Sequence, residues 1–151
     1  MKRLILVIVL LVGTPCNISA QEKLHPTHTS TTKSDEIQSF ITQMYNNKLY
    51  EDYAFLQKHC SAKLLKKLQD AYPYDTDGRA YATWLFRSGQ QDSKPGADNK
   101  TIMLEVKADG DWFIYTALDM GWRFTNKIKI TNKGGEIVIE DICAVKEWPN
   151  Q

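Results

Sequence analysis

The fold is decided by residues 112–131, which read WFIYTALDMGWRFTNKIKIT. Beyond Trp122, large apolar and polar side chains alternate, with Phe124, Ile128 and Ile130 on one side, which is the period of a strand with one buried face. Residues 112–118 are apolar on both sides and therefore predict a central strand. Asp119 and Gly121 lie at the junction, so we expect two adjacent antiparallel strands joined by a turn that needs this glycine.

The same period of two extends over the second half of the chain. We expect five strands: Ala80–Arg87, Thr101–Lys107, Trp112–Leu118, Trp122–Thr131 and Glu136–Val145. Asp109-Gly110 and Lys133-Gly134-Gly135 are typical of hairpin turns, whereas residues 90–99 predict a longer loop. In the last strand Asp141 interrupts an apolar row, which indicates a pocket rim, a bulge or a strand end.

The first half of the chain has a helical period instead. Ser34 is a candidate N-cap, and an apolar face follows at i, i+3, i+4, i+7 and i+8 (Ile37, Phe40, Ile41, Met44 and Tyr45). We expect a second short helix at Glu51–His59 and a third helix that Ser61 caps. Helices first and antiparallel strands afterwards predict the α+β class, with N-terminal helices packed on a curved antiparallel sheet.

Composition is that of an ordinary soluble domain. The 151 residues include 19 basic and 18 acidic side chains, a formal charge of +1, and 42% are hydrophobic. The aromatic content of 11% is too high for a disordered chain. Because there is no basic surplus, the composition argues against a dedicated nucleic-acid-binding protein.

The first twenty residues have the pattern of a secretory signal: Lys2-Arg3, the apolar run Leu4–Val12 and a small residue, Ala20, before the expected cleavage point. An uncleaved membrane anchor is the alternative, but an apolar run of nine residues is too short to cross a bilayer. Lipid attachment at Cys16 is a third interpretation.

Cleavage after residue 20 would leave 131 residues with 17 basic and 18 acidic side chains, a net charge of −1. We therefore expect an exported protein, periplasmic or secreted. Residues 21–33 form a flexible lead, and residues 34–147 form a single domain with no membrane span.

Two cysteines remain in the expected mature chain, Cys60 and Cys143. In an exported protein an even number of cysteines suggests a disulfide, and the alternative is a pair of buried free thiols. The three histidines are His25, His28 and His59, and their spacing matches no zinc site. Asp75-Thr76-Asp77-Gly78 resembles part of a calcium loop but lacks the remaining acids, which favours a turn. We expect neither a metal nor a cofactor.

One group of residues suggests a binding cleft. Arg87 and Asp119 could form an ion pair near Trp84 and Tyr115, with Trp122 following the junction. These five residues are the candidate ligand-binding set. Asp119 could act as a base if burial raised its pKa, whereas the alternative is a structural ion pair beside a turn.

Several short segments also carry a family resemblance over roughly residues 35–145. They are Phe40 with Met44-Tyr45, Tyr53 with Phe55-Leu56, Cys60-Ser61 with Leu64-Leu65, Trp84-Leu85-Phe86-Arg87 with Gln91-Asp92, and Asp119-Met120-Gly121. On these segments the chain resembles a family of exported bacterial proteins built on a domain of unknown function. That family is assigned to the nuclear-transport-factor-2-like superfamily, which has a cystatin-like cone of helices packed into a curved antiparallel sheet.

The resemblance implies a cone-shaped pocket but not one activity, since the superfamily includes isomerases, dehydratases, immunity proteins and binding modules. No counterpart of the catalytic Asp-plus-Tyr arrangement of the isomerase branch can be placed in this chain. We therefore expect a non-enzymatic binding module for a small molecule, a peptide or a partner protein, including an immunity-like role. The alternatives are a lyase or isomerase that uses Asp119 near Arg87, and a structural domain that acts as a homodimer.

Overall fold

The computed structural model describes residues 33–74, 77–97 and 100–145. The predicted signal, the flexible lead up to residue 32, Cys16, His25 and His28 lie outside the described residues. None of the described helices is long and apolar enough to cross a membrane.

Three helices precede the sheet, as predicted: α1 (Lys33–Asn46), α2 (Tyr53–His59) and α3 (Ala62–Asp70). Helix α1 buries Ile37, Ile41, Met44 and Tyr45, which are four of the five residues of its predicted apolar face. Ser61 caps α3 as expected, since its Oγ accepts a hydrogen bond from the Leu64 amide at 3.2 Å.

Helix α2 begins two residues later than the pattern suggested. Lys48 has a left-handed backbone, with φ of 53°, and the chain then forms a separate 3₁₀ turn at Leu49–Glu51. Asp52 caps α2, because its Oδ1 accepts a hydrogen bond from the Ala54 amide at 2.8 Å. The 3₁₀ turn buries Tyr50, which becomes important for the candidate site.

The sheet has four antiparallel strands in the order in which they occur along the chain. They are β1 (Ile102–Asp109), β2 (Trp112–Asp119), β3 (Trp122–Lys133) and β4 (Glu136–Ala144). The architecture is therefore α+β, with three helices followed by an antiparallel sheet. Side chains at alternate positions of β3 are buried, so the predicted faces of this strand are confirmed.

The predicted strand at Ala80–Arg87 is wrong. Residues 83–86 form a 3₁₀ turn instead, in which the Leu85 amide bonds to the Ala82 carbonyl and the Arg87 amide to the Trp84 carbonyl. The Ala82 amide bonds to the Leu68 carbonyl of α3 at 2.9 Å. Aromatic residues favour strands in general, but here the turn places Phe86 against Tyr50, with ring centroids 6.0 Å apart.

Asp141 marks a bulge, one of the three interpretations that the sequence allowed. Lys129 pairs with Asp141, and the next residue of β3, Ile130, pairs with Ile139, so Glu140 is the extra residue in β4. The bulge reverses the alternation of faces. Ile142 is therefore buried, and Cys143, which the sequence pattern placed on the same side as Ile139, is exposed.

The two cysteines are free thiols. Cys60 is buried and its backbone bridges that of Ile139, whereas the Cys143 side chain lies on the exposed face of β4. The alternative of two buried free thiols thus holds only for Cys60, because the β4 bulge turns Cys143 away from the buried side of the sheet.

The two thiols should react very differently. Burial raises the pKa of the Cys60 thiol to about 12, and only the thiolate is an effective nucleophile. We expect brief treatment of the native protein with iodoacetamide at pH 8, followed by peptide mass spectrometry, to find Cys143 alkylated and Cys60 unmodified. Alkylation in urea is the control and should modify both. If neither residue reacts until a reductant is added, they are joined in a disulfide.

Candidate functional site

A buried carboxylate, Asp119, is the centre of the candidate site. Its side chain is 1% exposed and accepts two hydrogen bonds from Arg87: Nε donates to Oδ2 at 3.0 Å and Nη2 to Oδ1 at 3.2 Å. Ser88 Oγ donates to Oδ2 at 3.0 Å, and Thr101 Oγ1 lies 3.5 Å from Oδ1. We call these four residues the Asp119 cluster. The ion pair between Arg87 and Asp119 is present, as the sequence analysis suggested.

Two irregular segments bring the cluster together. Asp119 is the last residue of β2, and Met120 and Gly121 follow it with φ of 50° and 83°, the positive values that a tight two-residue hairpin requires. Arg87 follows directly after the 3₁₀ turn at residues 83–86. Arg87 and Asp119 are 32 positions apart in the sequence. They meet because the end of β2 lies next to the end of the 3₁₀ turn.

The 3₁₀ turn is itself anchored by two buried polar side chains. Tyr115 Oη donates to the Phe86 carbonyl at 2.9 Å. Asn126 Nδ2 lies 3.2 Å from the Leu85 carbonyl, 3.4 Å from the Arg87 carbonyl and 3.3 Å from Tyr115 Oη. Asn126 was missed by sequence reasoning, although a polar residue in the apolar row of β3 was a detectable signal.

Arg87 links the buried cluster to the surface. Its side chain is 24% exposed, and its Nη1 lies 3.8 Å from Glu51 Oε1, whose side chain is 44% exposed. Partial burial by itself would lower the pKa of the guanidinium, but the hydrogen bonds and the charge of Asp119 outweigh burial and raise this pKa. Arg87 is therefore a permanent cation between a buried and an exposed carboxylate.

Two tyrosine hydroxyls beside the cluster have no hydrogen-bond partner among the described residues, those of Tyr45 and Tyr50. Both side chains are fully buried, and their rings stack with centroids 5.4 Å apart. Burial is the main cause that raises the pKa of both hydroxyls. The negative charge of Asp119 adds to it for Tyr45, and the charges of Glu51 and then Asp119 add to it for Tyr50. Sequence reasoning missed these residues because they occupy positions that an apolar core residue would also fill.

The side chains of the two predicted tryptophans contact other residues, although the Trp84 carbonyl accepts from the Arg87 amide and Trp122 pairs with Asp119 across the hairpin. Trp84 is 37% exposed, and its ring contacts Tyr72, with centroids 5.3 Å apart. Trp122 Nε1 donates to the Asp92 carbonyl at 2.9 Å, and Lys94 Nζ lies 5.7 Å from the centroid of the Trp122 ring. Trp122 thus holds the loop of residues 88–97 against the hairpin.

The geometry offers Asp119 little freedom to act as a general base. A base must reach the proton it removes, directly or through one water. Both oxygens of Asp119 instead accept hydrogen bonds from Arg87, and the carboxylate is almost fully buried. The structure does bring Tyr45 and Tyr50 into electrostatic reach of this acid, an Asp-plus-Tyr proximity that the sequence did not indicate.

Other polar groups give weaker evidence of a functional site than the Asp119 cluster does. His59 Nδ1 lies 3.1 Å from the Ile137 carbonyl, and its ring packs on Phe55. An open groove along α3 includes three lysines, but Lys66 pairs with Asp70 at 2.9 Å and Lys67 with Asp141 at 2.7 Å. Among the described residues no group of three acidic, histidine or cysteine side chains could hold a metal ion.

The chain matches no protein-family model, no curated protein and no solved structure.

Replacement of Asp119 by asparagine should destabilise the fold. It removes the charge that balances Arg87 and turns one acceptor oxygen into a donor amide. Breaking a buried pair on one side costs about 3–5 kcal/mol, and the partial exposure of Arg87 brings the expected loss to about 3 kcal/mol. Urea denaturation measures this loss. The control is Asp70→Asn, in the exposed pair with Lys66, which should cost less than about 0.5 kcal/mol. Equal losses for the two variants would contradict the structural importance of the buried pair.

Gly121 should tolerate no side chain. A Cβ on it would overlap Ala97 Cβ and lie 3.2 Å from Lys94 Cβ, whereas one on Gly110 would meet nothing within 4 Å. Both glycines have positive φ, 83° and 60°, so alanine costs about 1–2 kcal/mol in backbone conformation at either position. We expect Gly121→Ala to lower the melting temperature more than Gly110→Ala, because it also displaces the loop. Proteolysis within residues 88–97 should become faster only in the first variant.

Proposed function

We propose that this protein is an exported, non-enzymatic binding module, and that its ligand site is the buried polar region formed by Tyr45, Tyr50 and the Asp119 cluster. The α+β architecture with polar groups between helices and sheet agrees with the resemblance to the nuclear-transport-factor-2-like superfamily. Export rests on the signal-like pattern of residues 1–20.

The observation that carries the proposal is the pair of buried tyrosine hydroxyls without partners. A buried polar group that lacks a hydrogen bond costs about 1–3 kcal/mol, and most buried polar groups in proteins are paired. Phenylalanine would fill nearly the same volume at either position without this cost. In this proposal the two hydroxyls, on rings whose centroids are 5.4 Å apart, are donors kept for a bound molecule.

The surrounding structure would hold these donors in place. Tyr45 packs against Phe124 at 5.7 Å and against Tyr115 at 6.1 Å, and Tyr50 stacks on Phe86 at 6.0 Å. Because Tyr115 and Phe86 are themselves joined by a hydrogen bond, the rings have little freedom to reorient. A rigid pair of donors loses little conformational entropy when it binds a ligand.

The hydrogen bonds that Asp119 already accepts favour a binding function over lyase or isomerase chemistry. A catalytic base or acid exchanges protons with the substrate, and this carboxylate is already saturated by Arg87 and Ser88. In this proposal the Asp119 cluster positions the surrounding elements and sets the local charge, while the two tyrosines contact the ligand.

Tyrosine-to-phenylalanine variants test whether the donors are free. Tyr115→Phe removes the hydrogen bonds to the Phe86 carbonyl and to Asn126, so we expect it to lower the free energy of unfolding by about 1–2 kcal/mol. Tyr45→Phe and Tyr50→Phe remove hydroxyls that have no protein partner, so each should leave stability unchanged or raise it by up to about 1 kcal/mol. Urea denaturation of the purified, unliganded proteins gives the comparison.

The outcome that contradicts the proposal is a loss of stability in Tyr45→Phe and Tyr50→Phe as large as in Tyr115→Phe. Such a loss would mean that both hydroxyls are permanently bonded inside the protein. A screen of small polar fragments by ligand-detected NMR is a second, independent experiment. It should yield binders that the Tyr45→Phe/Tyr50→Phe double variant no longer recognises, and a screen without any such binder would overturn the proposal.

A further inference from the structure

We infer that the ligand of this site is a small uncharged molecule that presents a hydrogen-bond acceptor, such as an amide or ketone oxygen, to Tyr45 and Tyr50. The inference rests on the proposed function and adds the chemical class of the ligand to it. It follows from three features of the buried region: the donors that lack partners, the sum of the local charges, and the aromatic surroundings.

The first feature is an excess of donors. The hydroxyls of Tyr45 and Tyr50 have no acceptor among the described residues. The nearby acceptors are already engaged, since Asp119 accepts from Arg87 and Ser88, and the Phe86 carbonyl accepts from Tyr115. Burial raises the pKa of both hydroxyls, so they stay protonated and able to donate at any physiological pH. A ligand that completes the hydrogen bonding must therefore bring an acceptor.

The second feature is the balance of charge. One cation, Arg87, lies between two carboxylates, Asp119 and Glu51, so the local formal charge is −1. An anion would meet this surplus, and it would also lose its hydration in a buried region where unpaired charges are costly. A cation would gain little, because Arg87 already occupies both oxygens of Asp119. The local charges therefore favour a neutral ligand over an anion or a cation.

The third feature is the apolar, tightly packed surroundings of the donors. The rings of Tyr45 and Tyr50 are in contact with each other and with the aromatic side chains Phe86, Tyr115 and Phe124. Beyond its acceptor atom a ligand at these hydroxyls would therefore meet apolar ring surface, and this close packing favours a small ligand.

In this inference the ligand enters beside Arg87, whose side chain is 24% exposed. This side chain contacts buried Asp119 at one end of its guanidinium and exposed Glu51 at the other. The adjoining loop of residues 88–97 is held to the hairpin mainly by polar contacts of Asp92 and Lys94. A small neutral molecule can pass a partly exposed side chain of this kind without breaking the fold, and side-chain and loop motions of nanoseconds to microseconds are sufficient.

Three probes of matched size test the inference: propionamide, propionate and n-butylammonium. Each is titrated into the full chain carrying ¹³C-labelled tyrosine, at pH 7 and constant ionic strength, while the ring signals of Tyr45 and Tyr50 are followed by NMR. We expect propionamide to shift both sets of signals with saturation, and the two charged probes to bind at least about tenfold more weakly. The Tyr45→Phe/Tyr50→Phe double variant, followed through Tyr115, is the matched control and should lose the response to propionamide.

The outcomes separate the inference from the proposed function. Binding of propionate or n-butylammonium at these tyrosines as tightly as propionamide overturns the neutral-acceptor inference and leaves the binding function intact. A propionamide response that persists in the double variant places binding elsewhere and overturns the inference as well. No response to any of the three probes overturns the inference, and the proposed function falls with it only if the broader fragment screen is also empty.

Discussion

The hydrogen-bonded ion pair between Arg87 and Asp119 is the interaction on which the rest of the site depends. It joins the end of β2 to the end of the 3₁₀ turn at residues 83–86, two segments with no strand pairing between them. A buried carboxylate is stable only if donors satisfy it, and Arg87 and Ser88 do so from one short stretch of chain. The position of that stretch in turn determines where Phe86 packs.

From this anchor the arrangement of the aromatic core follows. Phe86 lies against Tyr50, Tyr50 stacks on Tyr45, and Tyr115 bonds to the Phe86 carbonyl while contacting Tyr45. The ion pair and the stacked rings thus form one continuous network. Two hydroxyls in that network have no partner among the described residues, and the free-energy cost of leaving them unpaired is the reason that we propose a ligand for this region.

Much of the fold could be predicted because it depends on local periodicity. The apolar face of α1, the cap at Ser61 and the faces of β3 each require only neighbours a few residues away. Residues 80–87 were misread as a strand because their aromatic composition favours one. Their real conformation depends on contacts with Leu68, Tyr50 and Asn126, which come from three other elements. The turn of Cys143 to the exposed face likewise depends on the bulge in the pairing with β3.

The sequence by itself predicted the α+β class and five strands, four of which are present, and it suggested the ion pair of Arg87 with Asp119. Alternation, turn glycines and opposite charges are visible in the chain. Only the tertiary structure decided that Tyr45 and Tyr50 stack with their hydroxyls unpartnered, and that the side chains of Trp84 and Trp122 contact Tyr72 and the Asp92 carbonyl. The physical reason is that a tyrosine on an apolar face has the same sequence pattern whether or not its hydroxyl finds a partner. Hydrogen-bond satisfaction depends on residues far away in the chain, and folding alone brings them together.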